Sequence, residues 1–206
     1  MKKMPCLFQR EFHGKGSFTL LDAVAPGCEW VLAGEGVATR KRDGAACMVK
    51  EGRLYKRYDA KRDRKTGAYK AIPPEALSCD EPDPVTGHWP NWVPVDGANP
   101  TDKYHVYALS AAIDESGLLA DGTYELCGPA INGNPEGLLR HVFYRHGAED
   151  LEFLGVPRTF NGLHDFLWPS GMEGIVFHHP DGRMCKIRRR DFGFEWGGKA
   201  ATRAGG

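Results

Sequence analysis

Two short segments, Ala45–Lys50 and Arg53–Tyr58, meet at the pair Glu51-Gly52. Alternating segments joined by a two-residue, glycine-bearing turn signal a β-hairpin. The pattern returns near the end of the chain. Gly174–Phe177 and Met184–Arg190 flank His179-Pro180-Asp181-Gly182, a second hairpin turn. Trp30–Ala33, Val37–Thr39, Tyr104–Ile113, Thr123–Cys127 and Leu138–Tyr144 also have strand character. Only Thr159–Trp168 shows helical spacing, through Phe160, Leu163, Phe166 and Leu167, with Thr159 or Asn161 as cap and Pro169 as its stop. The expected fold class is therefore α+β, built on antiparallel sheets with flanking helices.

The 206 residues suffice for about one domain with a sizeable core. We assign that domain to 1–196, with a flexible glycine- and alanine-rich tail over 197–206. Residues 61–103 hold Pro73, Pro74, Pro82, Pro84, Pro90, Pro94 and Pro100, half of the chain's 14 prolines. They read as a long irregular excursion, anchored by Trp89, Trp92 and Val93. Residues 1–28 read as short elements packing a shoulder of the core. No apolar run approaches the roughly 18 residues of a membrane span, and no apolar stretch follows the basic N-terminus as in a secretory signal. The cysteines, six in number, lack C-x-x-C pairs. Free thiols and a cytoplasmic location are expected, rather than a disulfide framework or a Cys/His metal site.

Formal charge is zero, which excludes a blanket polyanion binder, but cations are clustered. Lys50, Arg53, Lys56, Arg57, Lys61, Arg62, Arg64 and Lys65 face only Glu51, Asp59 and Asp63 in their stretch. Arg183, Lys186, Arg188, Arg189 and Arg190 form a second cluster. Both suit phosphates, and both are compatible with solvated strand faces. Alternation along 54–58 puts Tyr55 and Arg57 on one face, and the hairpin is expected to return this basic strand beside the one bearing Lys41.

Thr39-Arg40-Lys41-Arg42-Asp43-Gly44 presents a lysine at a strand end, in the pattern Lys-x-Asp-Gly. Alone, that pattern also describes an ordinary surface turn, in which Asp43 simply precedes Gly44. Four further segments follow it in order: Arg57 on the basic hairpin, Glu125 in Tyr124–Pro129, Glu173 opening an apolar strand, and Lys186-Ile187-Arg188. With these, the chain resembles the covalent nucleotidyltransferase superfamily of ATP-dependent ligases and capping enzymes. Within it, the chain is most similar to the small 5′-to-3′ RNA ligase family of vertebrates and microbes. Ala38-Thr39 before the lysine, Gly87–Val95, Gly128–Pro135 and Lys186–Arg188 carry that closer resemblance.

The resemblance implies a single nucleotidyltransferase (adenylation) domain around an ATP cleft. It implies that Lys41 attacks the α-phosphorus of ATP and holds AMP as a phosphoramidate. AMP then passes to an RNA 5′-phosphate, and a 3′-hydroxyl displaces it. An unperturbed lysine has a pKa of about 10.4, so the chemistry requires cations such as Lys186 and Arg188, with Mg²⁺ or Mn²⁺, near the amine. The resemblance further implies that Glu125 accepts from ribose hydroxyls and that Glu173 holds the metal through water. Arg57 would contact the nucleotide or the 5′-phosphate, and Phe143 would stack on adenine. Alternatives stay open: Glu125 and Glu173 as surface carboxylates, Lys186 and Arg188 as a solvated face, Trp89 and Trp92 as packing or as base-stacking groups. A DNA end as acceptor, or a silent nucleotide- or RNA-binding module, are the competing functions. Most such ligases add a second domain that closes over the nucleotide or grips nucleic acid; none is expected within these residues, so closure and grip would fall to 61–103, the N-terminal segment or a partner. No expected step requires His141, His146, His178 or His179.

Overall fold

The computed structural model describes residues 4–14, 17–63, 65–83, 87–147 and 155–197; of the tail assigned to 197–206, all but Gly197 lies outside them. In chain order the elements are β1 (Phe8–Gly14), β2 (Ser17–Val24), α1 (Glu29–Leu32), β3 (Val37–Lys41), β4 (Ala45–Lys50) and β5 (Arg53–Lys61). They continue with β6 (Leu77–Ser78), β7 (His88–Pro94), α2 (Lys103–Ser116), β8 (Gly122–Cys127), β9 (Val142–Arg145), α3 (Phe160–Leu167), β10 (Gly174–His178) and β11 (Met184–Arg188). Every ladder between these strands is antiparallel, so the chain is α+β with few helices.

The chain divides into two compact units. One comprises 44–146 and the other 3–43 with 147–206. The 44–146 unit is a six-stranded sheet in the order β6-β7-β5-β4-β8-β9. Its core gathers Cys47, Val49, Leu54, Ala108, Tyr124, Leu126 and Ile131. The expected hairpin forms: Val49 pairs with Leu54 and Lys50 with Arg53 across the Glu51-Gly52 turn, both of whose residues have positive φ.

Three expectations for this unit are corrected. Tyr104–Ile113 lies in helix α2, not in a strand. Pro100 at the start of a 3-10 turn, with the Asn99 side chain accepting from Thr101 N–H, launches the helix, and Ala108, Ala111 and Ala112 favour it. His105 and Ala108, three residues apart, are buried on one side. Secondly, 61–103 is not wholly irregular. β7 runs through Pro90 and Pro94, pairs with β5 from Tyr55↔Pro94 to Lys61↔His88, and buries Asn91 and Trp92. Thirdly, Lys56 of the basic cluster turns inward. Its ammonium is ion-paired with Asp102, whose side chain is 1% exposed. Burial would raise the Asp102 carboxyl, but Lys56 and hydrogen bonds from Asp96 N–H and Thr101 outweigh it and hold the group below its ordinary range. Trp92 is buried, and Trp89 Nε1 donates to Ser78 Oγ (3.2 Å) and the Asp80 carbonyl (3.1 Å); both tryptophans pack the excursion.

The other unit joins the β1-β2 hairpin, α1, α3 and the three-stranded sheet β11-β10-β3. Leu7, Val31, Leu163, Leu167, Ile175, Phe177, Cys185 and Ile187 are fully buried in its core. Helix α3 is where helical spacing places it, with the Thr159 side chain accepting from Gly162 N–H. Trp30 and Val31 lie on the one-turn helix α1 rather than on a strand; both are buried, which explains an apolar run that mimics one. The N-terminal segment runs along β11: Leu7 N donates to Lys186 O (2.8 Å) and Lys186 N to Pro5 O (3.0 Å). β10 pairs with both β3 and β11, and Gly174 sits opposite Lys41 on one side and Arg188 on the other.

Close packing accounts for glycine at that position. A Cβ on Gly174 would press into the Ile187 carbonyl and the Arg188 Cα. Gly174→Ala is expected to cost more than about 2 kcal/mol through overpacking between strands. A denaturant titration beside the wild type checks this.

Candidate active site

Sheet register brings four of the expected residues together. Lys41, Gly174 and Arg188 form one row across β3, β10 and β11; Thr39, Val176 and Lys186 form the next usable row. Residues two apart on a strand share a face, so Lys41 and Thr39 lie on one side of β3, and Arg188 and Lys186 on one side of β11. Glu173, one residue before Gly174, receives an ion-paired hydrogen bond from Lys41 Nζ, which also donates to Arg42 O at 3.3 Å. The strand expected to lie beside β3 is the basic β5; the ladders instead pair β5 with β4 and β7, and β3 with β10.

The electrostatics of this cluster are those of a buried, charge-rich site. Glu173 is 5% exposed. Burial pushes its carboxyl above the ordinary range; Lys41 pulls the other way, and Asp43 reinforces the rise. Lys186 is pushed down to about 8 by burial first, then by the positive charges of Arg188 and Lys41.

Arg188 is not a free strand-face cation. Its Nε and Nη2 hold Asp191 at 3.1 and 2.8 Å, and its backbone N–H donates to the same carboxylate at 2.9 Å. Asp191 belongs to none of the sequence motifs, nor does Trp196, whose Nε1 donates to Asp43 Oδ2 at 2.8 Å. The Asp43 turn is therefore tied to a segment more than 150 residues away.

Glu125, Arg57 and Phe143 belong to the 44–146 unit. Glu125 Oε1 accepts from Gly44 N–H (3.0 Å), and its Oε2 contacts His146 Nε2 (3.0 Å). It thus fastens the glycine of the Lys-x-Asp-Gly turn. A Cβ on Gly44 would press into Leu126 O and Glu125 Cγ. Asn132, in the turn-rich loop, donates to Gly44 O at 2.8 Å. Arg57 Nε donates to Asp59 Oδ1 (2.7 Å), with its guanidinium over the Trp92 ring at 5.8 Å. Phe143, on β9, is partly buried against Tyr124, ring centroids 6.1 Å apart.

No protein-family model matches the chain. It is, however, similar to proteins described as RNA ligase 1. The protein of Danio rerio is 32% identical over 141 residues, 53% of this chain and 42% of that one. That of Pongo abelii is 32% identical over 158 residues, 61% and 48%. The Mus musculus protein is 30% identical over 155 residues, 61% and 47%. The similarity to these RNA ligases is confined to part of the chain and part of each relative. These matches span about half the length of each relative.

Among the described residues, no helix is long and apolar enough to cross a membrane. Nor do three or more His, Cys, Asp or Glu side chains gather as an all-protein metal cage. The cluster offers one buried carboxylate, Glu173, ion-paired with Lys41, and Mg²⁺ is an ion held in a different way. That ion keeps several waters and takes one or two carboxylates together with substrate phosphates.

Proposed function

We propose that this chain is an ATP-dependent RNA ligase with a nucleotidyltransferase fold, joining a 5′-phosphate to a 3′-hydroxyl through a lysyl-AMP intermediate. The observation that carries the reading is the row Lys41–Gly174–Arg188, with Glu173 on the Lys41 amine and Lys186 on the same strand as Arg188. Its similarity to proteins described as RNA ligase 1 supports RNA rather than DNA as the acceptor.

Lys41 Nζ is the nucleophile. Glu173 orients it through the ion pair and, by its buried position, limits the directions from which the amine can be approached. The ammonium gives its proton to bulk water, the neutral amine forms a bond to the α-phosphorus of ATP, and the bond from that phosphorus to the bridging oxygen breaks as pyrophosphate leaves. Lys186 and Arg188 are preorganised positive charges for the phosphate oxygens, and they need no reorganisation as charge develops there. Glu173 would hold Mg²⁺ through water; when bound, the ion offsets phosphate charge. Arg57, Glu125 and Phe143 serve nucleotide binding: Arg57 by charge, Glu125 at the ribose hydroxyls, Phe143 by stacking on adenine. In the second step a 5′-phosphate oxygen takes AMP from Lys41. In the third, a 3′-hydroxyl attacks the activated phosphate and AMP leaves. All three are substitutions at phosphorus with an anionic leaving group, so one set of cations serves them.

The test is joining itself. With ATP and Mg²⁺, RNA bearing a 5′-phosphate and a 3′-hydroxyl should yield joined product and, transiently, an adenylylated 5′ end. RNA with a 5′-hydroxyl should yield neither. Joining of DNA but not RNA would overturn the choice of acceptor alone.

A further inference from the structure

The hairpin β1-β2 is the least explained part of its unit. Most of its residues are exposed, and Phe12 is 69% exposed. One of its side chains nevertheless reaches the 3-10 turn, Arg189–Phe192, that follows β11. Arg10 Nη2 donates to Asp191 Oδ1 at 2.7 Å, the same oxygen that Arg188 Nη2 holds at 2.8 Å. The Asp191 side chain is wholly buried. Two guanidiniums therefore converge on one carboxylate, leaving one positive charge in excess.

The donor inventory shows where that excess can act. A guanidinium has five N–H donors. Among the described residues, Arg188 donates from Nε and Nη2, both to Asp191. Among the same residues Arg10 donates from Nη2, and its Nε is buried without a hydrogen-bond partner. Its guanidinium carbon lies 4.7 Å from the Phe18 ring centre, which limits its freedom. The pairing of residues 5–7 with Lys186 fixes the approach of the segment that leads to Arg10. Paired, prealigned guanidiniums with unused N–H edges match the geometry of a phosphate better than that of any neutral ligand.

We propose that Arg10 and Arg188, aligned by Asp191, form a clamp for a phosphate group, so that the N-terminal hairpin contributes directly to substrate binding. Arg10 is a binding residue and Asp191 a positioning residue. The ligand is a phosphate of ATP or the 5′-phosphate of RNA. Only the choice between these sources rests on the ligase reading above.

Equilibrium binding tests the clamp without requiring turnover. The full chain is titrated with ATP, with 5′-phosphorylated RNA and with the same RNA bearing a 5′-hydroxyl. Arg10→Ala should weaken binding of one phosphate ligand about tenfold, as loss of a charged hydrogen bond does. Arg10→Lys should recover part of the loss and Arg10→Gln none, with melting temperatures matching the wild type. A loss confined to ATP places the clamp on the triphosphate. A loss confined to 5′-phosphorylated RNA, with 5′-hydroxyl RNA unaffected, places it on the RNA end. Unchanged affinity for both phosphate ligands overturns the proposal, as does an equal loss for 5′-hydroxyl RNA. Self-labelling by ATP is scored separately: its absence in the wild type removes the ligase reading, while the binding result still decides the clamp.

Discussion

Lys41→Ala and Lys41→Arg are both expected to lose adenylylation to below detection, and the arginine variant is the more informative. Arginine keeps a positive charge that can pair with Glu173, and it suits a strand end as well as lysine does. It cannot offer an unprotonated amine, because guanidinium stays charged at all accessible pH. If Lys41 were merely a structural partner of Glu173, Lys41→Arg would retain activity. If it is the nucleophile, both variants fail alike while binding of ATP persists in Lys41→Arg. Transfer of label from ATP to protein, with nucleotide binding measured alongside, separates the two.

Lys186→Met should lower the adenylylation rate about a hundred- to a thousand-fold, the scale on which loss of one preorganised donor acts. It should also make the protein more stable at pH 7. Burial and the neighbouring Arg188 and Lys41 charges push Lys186 to about 8, below its ordinary 10.5. Between those values the unfolded chain binds more protons than the folded one, so stability rises with pH across that window. Below about pH 8 the cost of the buried cation is fully present. Methionine fills a similar volume without a charge, so the variant should melt higher at pH 7 and lose the rise in stability between pH 8 and 10.5. Stability gained where activity is lost marks a group retained for function. A variant that melts lower at pH 7 would contradict this account of Lys186.

Local chemistry made much of the fold legible. Glu51-Gly52 and His179–Gly182 are turns whose residues announce them, and α3 has a cap, a period and a proline stop. The misread segments share another cause. Trp30 and Val31 are buried, so an apolar run marked the core without marking the one-turn helix. Tyr104–Ile113 opens with aromatic and β-branched residues, which favour strands, and the capped turn before it decides for helix. β7 contains two prolines and takes its order from β5 and β6 instead of from its own propensity.

The candidate site was legible in the same uneven way. Lys41, Glu173, Lys186 and Arg188 could be singled out because their segments follow the order of motifs in the family that the chain resembles; strand ends and alternation alone leave ordinary surface roles open. What they touch could not. Arg10 and Asp191 are 181 positions apart, and Asp43 and Trp196 are 153 apart. Arg10, Asp191 and Trp196 lie in none of the motifs, and no local periodicity reports such contacts. The use of Glu125 to fasten Gly44 was likewise hidden, because it depends on β4 lying beside β8.

The most direct measurement is to find the labelled residue. Wild-type protein is incubated with Mg²⁺ and ATP labelled at the α-phosphate, digested under alkaline conditions that preserve phosphoramidates, and its peptides are sequenced. The account predicts one acid-labile label, on the peptide containing Lys41, released when 5′-phosphorylated RNA is added. No label, or a label on any other residue, would contradict it.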